Sequence, residues 1–194
     1  SGNIRLGIPS EFSTTLMPKI IRRFINTYPE ISLEVHCALS KDLLCEPLKN
    51  KFDLILSLQE EADSTQEGHI ITDQLVWVGS QRFVNNIPEK LPIIAAPSPC
   101  LYRKRVTSVL NTHKKNWQII YTIADLNGIQ TAINEDLGIT ALARSTVPPG
   151  LFILPPSPQL PELGQVGVYL MNPQKVRSEA IELLAKTIET QLAI

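Results

Sequence analysis

Stretches typical of β-strands alternate with amphipathic helical stretches along most of the chain. Near the start, Ile4, Leu6 and Ile8 recur at every second residue, which indicates a strand that ends at about Pro9. Apolar residues then recur at three- and four-residue steps as far as Tyr28, which indicates a helix. The alternation continues through "ISLEVHCAL", "SKDLLCEPLKN" and "FDLILSL". This repeated order predicts an α/β fold with a parallel sheet and right-handed crossovers.

A second set of alternating elements follows an acidic, polar segment, "EEADSTQEGH". We expect strands at "IITDQLVWVGS", "PIIAAP", "WQIIYTI", "GITALA" and "VGVYLM", and helices at "LYRKRVTSVLNTH", "LNGIQTAINEDL" and "RSEAIELLAKTIETQLAI". Proline interrupts the short helix predicted in "SKDLLCEPLKN", at Pro47, and recurs in "LPPSPQLPELGQ" before the last strand. Two α/β sets of this kind would enclose a ligand cleft lined by the carboxyl ends of their strands.

Charge and composition exclude several classes of function. The 194 residues carry a formal net charge of −1, so the chain as a whole offers no basic field for nucleic acid or an anionic membrane. Its apolar runs are far shorter than a bilayer span, and its first residues lack the pattern of a signal peptide. We therefore expect a cytoplasmic domain without membrane contact, although a cleaved signal would leave no trace.

The cysteines and histidines do not form a recognisable site. Cys37, Cys45 and Cys100 are odd in number and far apart, which favours reduced thiols over disulfides. Neither they nor the three histidines stand at metal-ligand spacings, and no P-loop, dinucleotide-binding loop or nucleophile elbow occurs. We expect no metal, no cofactor and no catalytic residue. The two-residue period of the strand turns Cys37 towards the core and His36 outward.

The segment between the first strand and the first helix is rich in hydroxyl groups. Ser10, Ser13 and Thr14 are each competent to cap the helix, and we expect a loop here next to the positive end of the helix dipole. Such a position favours an anion or a carboxylate. Two interpretations stay open: the hydroxyl groups bind a ligand, or they only cap the helix.

The order of these segments resembles the effector-binding (co-inducer) domain of LysR-type transcriptional regulators over essentially the whole chain. The resemblance rests on "GNIRLGIPSEFSTTLMPKIIRRFINTYPEISLEV", "LKNKFDLILSL", "DQLVWVGS", "CLYR" and "INEDLGITAL". It implies two periplasmic-binding-protein-like (type 2) subdomains with a ligand cleft between them. Residues 1–76 and 167–194 would form subdomain I, and residues 77–166 would form subdomain II. It also implies that DNA is bound only by an N-terminal winged helix-turn-helix domain outside this chain.

The resemblance implies a small organic effector, which would be an acid, an aromatic compound or an amino-acid derivative. The matching effector-binding positions are Ser10, Glu11, Phe12, Ser13, Thr14, Ser40, Ser57, Pro97, Ser98 and Cys100, with Arg103 nearby. Ser10 and Ser40 are the principal candidates to bind an acidic group, and Phe12 is a candidate to stack on a ligand ring. Glu11 departs from the pattern, because its carboxylate would repel a simple anion unless Arg103 neutralises it.

Three of these assignments have alternatives. Glu11 would instead face solvent and complement the helix dipole, or the effector would be neutral or zwitterionic. Cys100 would be a redox sensor, as in some relatives, if its thiol were exposed, low in pKa and close to a second thiol; otherwise it is a packed thiol. Trp77 and Trp117 are either pocket rings or core side chains, and the core is the commoner place for a tryptophan on a strand.

The resemblance further implies a homodimer formed through the first helix and second strand of subdomain I, with a tetramer open for the full-length protein. The apolar face of the first helix, from Leu16 to Tyr28, is broader than one core contact needs, although burial within its own domain is an alternative.

Three functions compete as interpretations of this sequence. Effector sensing in a transcriptional regulator leads, ahead of a transporter's solute-binding protein and an enzyme on the same scaffold.

Overall fold

The computed structural model describes residues 2–46 and 48–193, and its internal contacts divide the chain into two compact units. Unit 1 contains the described residues up to Thr72 together with those from Val166 onward, and unit 2 runs from Asp73 to Gln165. The interruption predicted at Pro47 lies outside the described residues. Among the described residues, no helix combines the length and apolarity that spanning a bilayer requires.

The described elements follow the alternating order that the sequence predicts. They are β1 (Gly2–Ile8), α1 (Ser10–Thr27), β2 (Ile31–Cys37), α2 (Ser40–Leu43), β3 (Leu54–Gln59), β4 (His69–Gly79), β5 (Lys90–Ala95), α3 (Leu101–Thr112), β6 (Asn116–Thr122), α4 (Leu126–Asn134), β7 (Thr140–Ala143), β8 (Phe152–Leu154), β9 (Gln165–Met171) and α5 (Glu179–Leu192). A short 3-10 helix, Leu48–Lys51, lies between α2 and β3. The three-residue strand β8 was not anticipated, because three residues are too few to show a period.

In unit 1 the strands lie in the order β2-β1-β3-β9. Strands β2 and β3 each pair with β1 in parallel, and β9 runs antiparallel to β3. The chain moves outward from β1 to β2 and then returns across β1 to β3. Two right-handed crossovers in this order place α1 and α2 on opposite faces of the sheet.

Different side chains cover the two faces of the unit 1 sheet. On one face, Leu43 of α2 packs against Phe52 and Ile55. Helix α1 lies on the opposite face and contacts α5. Each of these two helices contributes fully buried side chains, including Phe24 and Ile188. The apolar stripe predicted for the C-terminal helix is confirmed, since its five positions are all buried: Ile181, Leu184, Ala185, Ile188 and Leu192.

The expectation that Cys37 faces the core is wrong. Its thiol is exposed, and so is Val35 on the same side of β2. Strand β2 is the edge strand of the sheet, where the covering helices leave its last residues open. The period of a strand identifies its two faces, but it does not show how far a helix extends over either of them. His36 points outward as predicted, with its ring 5.6 Å from that of Phe52.

Unit 2 contains a parallel pair, β5 and β6, connected by α3. The second part of β4 pairs antiparallel with β7 and with β8. Its core contains seven buried side chains from β4, β5, β7 and α4: Val78, Ile94, Leu126, Ile129, Ala132, Ile133 and Leu142. The sequence predicts that the first subdomain ends at residue 76, whereas unit 1 of the structure ends at Thr72. The unit boundary falls inside the continuous strand β4, where no turn residue marks it in the sequence.

Two side chains hold the proline-rich segment of unit 2. Trp77 is 1% exposed, and its Nε1 donates a hydrogen bond to the carbonyl oxygen of Pro161 at 2.8 Å. The core interpretation of Trp77 is thus confirmed. Arg105 Nη1 donates to the carbonyl oxygens of Leu163 at 2.9 Å and Gln165 at 3.0 Å. The segment is therefore packed structure rather than a linker.

The acidic segment after β3 is also anchored, which its composition did not indicate. Tyr169 is fully buried, and its hydroxyl donates to the Glu61 carbonyl at 2.8 Å and accepts the Asp63 N–H at 2.9 Å. Hydrogen bonds from the Thr65 hydroxyl and backbone N–H lower the pKa of Asp63 below its usual value. A carboxyl with a lowered pKa stabilises the fold above its unfolded-state pKa, and this contribution is lost as the pH falls.

Gly68 is expected to tolerate no side chain. Its φ is +87°, and a Cβ there would lie 2.6 Å from the Leu170 carbonyl oxygen. We expect Gly68→Ala to lower the free energy of unfolding by about 2–4 kcal/mol, from the left-handed backbone and the overlap together. The matched control is Gly150→Ala, since Gly150 has a φ of +92° with nothing within 4 Å of its Cβ position. Urea unfolding of both variants measures the difference, and equal losses would contradict the overlap.

Candidate functional site

The reversal of the chain at β1 creates a position for a ligand between the ends of β1 and β3. In open α/β sheets, ligands bind beyond the carboxyl ends of parallel strands where the strand order reverses. In unit 1, Ser10 follows β1, Ser40 follows β2, and Ser57 lies near the end of β3. The structure therefore brings three of the predicted effector-binding residues to the carboxyl edge of one sheet.

Helix α1 begins one residue after β1 ends. Pro9 is its N-cap with a φ of −63°, and its carbonyl accepts the N–H groups of Phe12 and Ser13, both at 3.1 Å. The predicted hydroxyl-rich loop and side-chain cap are therefore wrong, because the cyclic side chain of proline lets the chain enter the helix within one residue. The Thr14 hydroxyl donates back to the Ser10 carbonyl at 3.1 Å.

The start of α1 nevertheless retains the property that favours an anion. The first backbone N–H groups of any α-helix have no acceptor within the helix, and the dipole of an 18-residue helix adds positive potential there. Ser10 is half-buried at this end, so its N–H and hydroxyl groups are suitable donors. Ser13, in the same turn, is also half-buried.

Ser40 begins α2 and Ser57 lies in β3, and their hydroxyl groups differ in their hydrogen bonds. The Ser40 hydroxyl oxygen accepts the Leu58 N–H at 2.9 Å, which ties the start of α2 to the end of β3. Its own proton stays available to a further acceptor. Ser57 is fully buried, and its hydroxyl has no hydrogen-bond partner among the described residues. A buried hydroxyl without a partner is rare in folded proteins.

Phe12 is too deeply buried for the stacking role predicted for it, whereas both predicted roles of Glu11 stay open. The Phe12 ring is completely buried and has no open face on which a ligand could stack. It is a core side chain of α1. Glu11 is half-buried in the first turn of α1, where a carboxylate complements the helix dipole.

Unit 2 holds the remaining predicted residues in one loop. Pro97 and Ser98 follow β5, and Cys100 is the N-cap of α3. Arg103 Nη1 donates to the Ala96 carbonyl at 3.1 Å, which places its guanidinium group at the carboxyl end of β5. Cys100 is half-buried, and the other two cysteines belong to unit 1, so unit 2 contains no second thiol.

Gly7 positions α2 against β1, a role that was not predicted from the sequence. A Cβ at Gly7 would lie 2.9 Å from Leu43 Cδ2 and 3.2 Å from the Phe52 ring, so the glycine lets α2 approach β1 closely. Gly7 occupies a position of β1 equivalent to the polar Asn3 and Arg5. A glycine within a strand was the available signal, since glycine weakens a strand unless a close approach requires it.

Within residues 2–46 and 48–193, no group of three His, Cys, Asp or Glu side chains could hold a metal ion. Asp53 is the carboxylate that an acid-base mechanism would most readily use. It accepts the Arg5 N–H at 2.9 Å, so it forms a hydrogen bond with the backbone of β1.

Trp117 is the second tryptophan for which a pocket position and a core position were predicted as alternatives. Its Nε1 donates a hydrogen bond to Asn111 Oδ1 at 3.0 Å.

Comparisons with known sequences identify related proteins. A family model described as the LysR substrate binding domain matches residues 1–193. The chain is 25% identical over 193 residues to the HTH-type transcriptional regulator DgdR of Burkholderia cepacia, a match that covers 99% of the chain and 65% of DgdR. It is 22% identical over 191 residues to the HTH-type transcriptional regulator PecT of Dickeya dadantii, with coverage of 97% and 60%. The chain thus spans less than two thirds of the length of these relatives.

Solved structures match the fold over nearly the whole chain. The regulatory domain of CcmR from Synechocystis PCC6803, in complex with 2-PG, has a TM-score of 0.73 at 16% identity, covering 98% of this chain and 97% of that one. The reduced OxyR regulatory domain from Pseudomonas aeruginosa has a TM-score of 0.72 at 15% identity, covering 98% of each chain. The BenM effector binding domain with benzoate has a TM-score of 0.68 at 15% identity, covering 100% and 93%. These neighbours have the two-subdomain periplasmic-binding-protein-like fold, so the predicted fold class is confirmed.

Ser40 and Ser57 should respond differently to loss of the hydroxyl group. We expect Ser40→Ala to lower the free energy of unfolding by about 1 kcal/mol, because the Leu58 N–H loses its acceptor. We expect Ser57→Ala to leave the stability unchanged or to raise it, because it removes a buried hydroxyl that has no partner. Urea unfolding without ligand measures both. Equal destabilisation of the two variants would show that Ser57 makes a structural hydrogen bond.

Proposed function

The chain belongs to the LysR substrate binding domain family, and from this premise we propose that it senses a small organic effector for a transcriptional regulator. The observation that carries the proposal is the family match over residues 1–193. The relatives DgdR and PecT are HTH-type regulators longer than this chain, which supports a DNA-binding domain elsewhere in the same protein. Binding of DNA would then belong to that domain, and the regulator would act in the cytoplasm.

The polar groups at the carboxyl edge of unit 1 support an effector that carries an acidic group. Ser10 offers its N–H and hydroxyl at the positive end of α1, and Ser40 offers a hydroxyl proton whose oxygen is already held by the Leu58 N–H. Ser57 is fully buried, so its predicted contact with the effector stays a prediction. BenM, one of the structural neighbours, holds benzoate, which is a carboxylate.

Glu11 narrows the class of effector. A carboxylate in the first turn of α1 opposes a ligand that is only negative, but it attracts an amino group. We therefore favour an effector with both an acidic and a basic or neutral polar group, such as an amino-acid derivative. The predicted contributions of Ser13, Thr14, Pro97, Ser98, Cys100 and Arg103 to the same ligand stay predictions.

The comparisons reported above favour a regulator over a transporter's solute-binding protein, because the matching relatives are transcriptional regulators. The family consists of regulatory domains rather than enzymes. Binding of an effector then acts by shifting the population between two states of the regulator that differ in their affinity for the effector.

A ligand screen tests the effector site directly. A compound that binds only the folded chain raises its melting temperature, so small carboxylates, amino acids and aromatic acids can be compared by thermal shift. We expect Ser10→Ala and Ser40→Ala each to weaken the hit about tenfold, the effect of losing one hydrogen bond to a charged group. Ser108→Ala, at an exposed serine of α3, is the matched control.

Two results would contradict the effector site. The first is a hit whose affinity is the same in Ser10→Ala, Ser40→Ala and the control. The second is a flat response to the whole screen by a chain that circular dichroism shows to be folded.

We also propose a homodimer that forms through α1 and β2. Ile21 and Ile25, one turn apart on α1, are 38% and 44% exposed, and Val35 of the edge strand β2 is 37% exposed. Because α1 contacts β2, these side chains belong to one open apolar face of unit 1. Faces of this kind commonly mark a protein interface. A tetramer of the full-length protein stays a prediction.

Light scattering after size-exclusion chromatography tests the dimer. We expect Ile25→Asp to reduce the mass from dimer to monomer, because a carboxylate in the centre of an apolar interface loses its hydration without a partner. Leu137→Asp is the control, since Leu137 is 47% exposed on unit 2. A monomeric unsubstituted chain, or a dimer that persists in Ile25→Asp, would contradict this interface.

A further inference from the structure

A concavity in unit 1 has three basic side chains among its lining residues. Its volume is about 530 Å³, within the range of pockets that hold small molecules. Among its lining residues are three cations, one carboxylate and two residues that shape its wall: Lys49, Lys175, Arg177, Glu67, Gly68 and Asn172. The chain as a whole has a formal net charge of −1, so this excess of positive charge is local.

This concavity lies away from the proposed effector site. Strand β9 runs antiparallel to β3, so Met171 at the end of β9 pairs with Ile55 near the start of β3. The concavity is therefore at the edge of the sheet formed by the amino ends of the parallel strands. Ser10 and Ser40 follow the carboxyl ends of β1 and β2, at the opposite edge. A ligand here would be independent of the effector proposed above.

The loop that carries two of the cations is held in a defined shape. Asn172 Nδ2 donates to the Val176 carbonyl at 3.0 Å, and the Lys175 N–H donates to the Asn172 carbonyl at 3.1 Å. Gln174 Nε2 donates to the Asn50 carbonyl at 2.9 Å, which fastens this loop to the 3-10 helix that carries Lys49. The two sides of the concavity are thus joined by a hydrogen bond.

Lys175 adopts a backbone conformation that is unfavourable for a lysine. Its φ is +55°, in the left-handed region that costs an L residue about 1–2 kcal/mol. Glycine or asparagine would occupy this place in the turn at lower cost. Backbone strain of this kind clusters at binding sites, and Lys175 lies on the wall of the concavity.

The charges of the concavity do not cancel. Glu67 balances one of the three cations. Arg177 has a partner outside the lining, Glu182, but the two groups are 3.5 Å apart and partly exposed, and surface pairs of this kind contribute little. With Glu67 and Glu182 counted against the three cations, about one positive charge remains for a ligand, and lysine and arginine side chains are suited to phosphate oxygens.

We propose that this concavity is a binding site for a small phosphorylated metabolite. Its phosphate group contacts Lys49, Lys175 and Arg177, and the rest of the molecule occupies the remaining volume. A concave site between two loops suits a compact anion better than the extended backbone of a nucleic acid.

Inorganic phosphate is the probe that tests the site. Titration of the isotope-labelled chain at constant ionic strength should shift the backbone amide signals of Lys49, Gly68, Asn172 and residues 174–177, with saturation. We expect Lys49→Gln and Lys175→Gln each to weaken binding about fivefold, the effect of removing one charge near the ligand in a partly exposed site. Lys51→Gln is the matched control, because Lys51 is exposed on the same 3-10 helix and is not part of the lining.

Three results would overturn the proposal. The first is the absence of saturation, and the second is an equal loss of affinity in Lys51→Gln, since both indicate a general attraction of anions. The third is that duplex DNA of random sequence shifts these amide signals while phosphate does not, which would make the surface a nucleic-acid contact. Ser40→Ala should leave phosphate binding unchanged, so failure of this site is distinguishable from failure of the effector site.

Discussion

The position of β1 between β2 and β3 is the constraint on which the rest of unit 1 depends. Because the chain reverses across β1, α1 and α2 have to lie on opposite faces, and the ends of β1 and β3 are left open between them. Gly7 makes this arrangement possible, since a side chain there would collide with Leu43 and Phe52 beneath α2. The proposed place for a ligand is thus a consequence of strand order and of one close contact.

Hydrogen bonds between the backbone and a few polar side chains hold the two edges of this sheet. At the carboxyl edge, Ser40 accepts the Leu58 N–H. At the amino edge, Asn172 and Gln174 shape the loop that carries Lys175. The carboxyl edge presents mainly hydroxyl groups and a helix dipole, and the amino edge presents cations. The two edges therefore suit different chemical groups, although a single sheet supports both.

The candidate site was only partly predictable from the sequence. Ser10 and Ser40 could be named because residues after parallel strands meet at one edge of a sheet. The start of α1 could not be placed, because a hydroxyl-rich segment is compatible with a loop and with a first helical turn, and Pro9 decided between them. The burial of Phe12 and the exposure of Cys37 also depend on which helix covers which strand, and periodicity does not contain that information.

The sequence by itself determined the order of strands and helices, the apolar faces of α1 and α5, and the family to which the chain belongs. These properties are local or cumulative along the chain, so period, charge and motif order are sufficient to find them. Only the tertiary structure decided which polar groups keep a partner and which do not. It left the Ser57 hydroxyl buried without one among the described residues, and it joined the 3-10 helix of Lys49 to the loop of Lys175 and Arg177. Such contacts connect residues far apart in the chain, because packing rather than local preference brings them together.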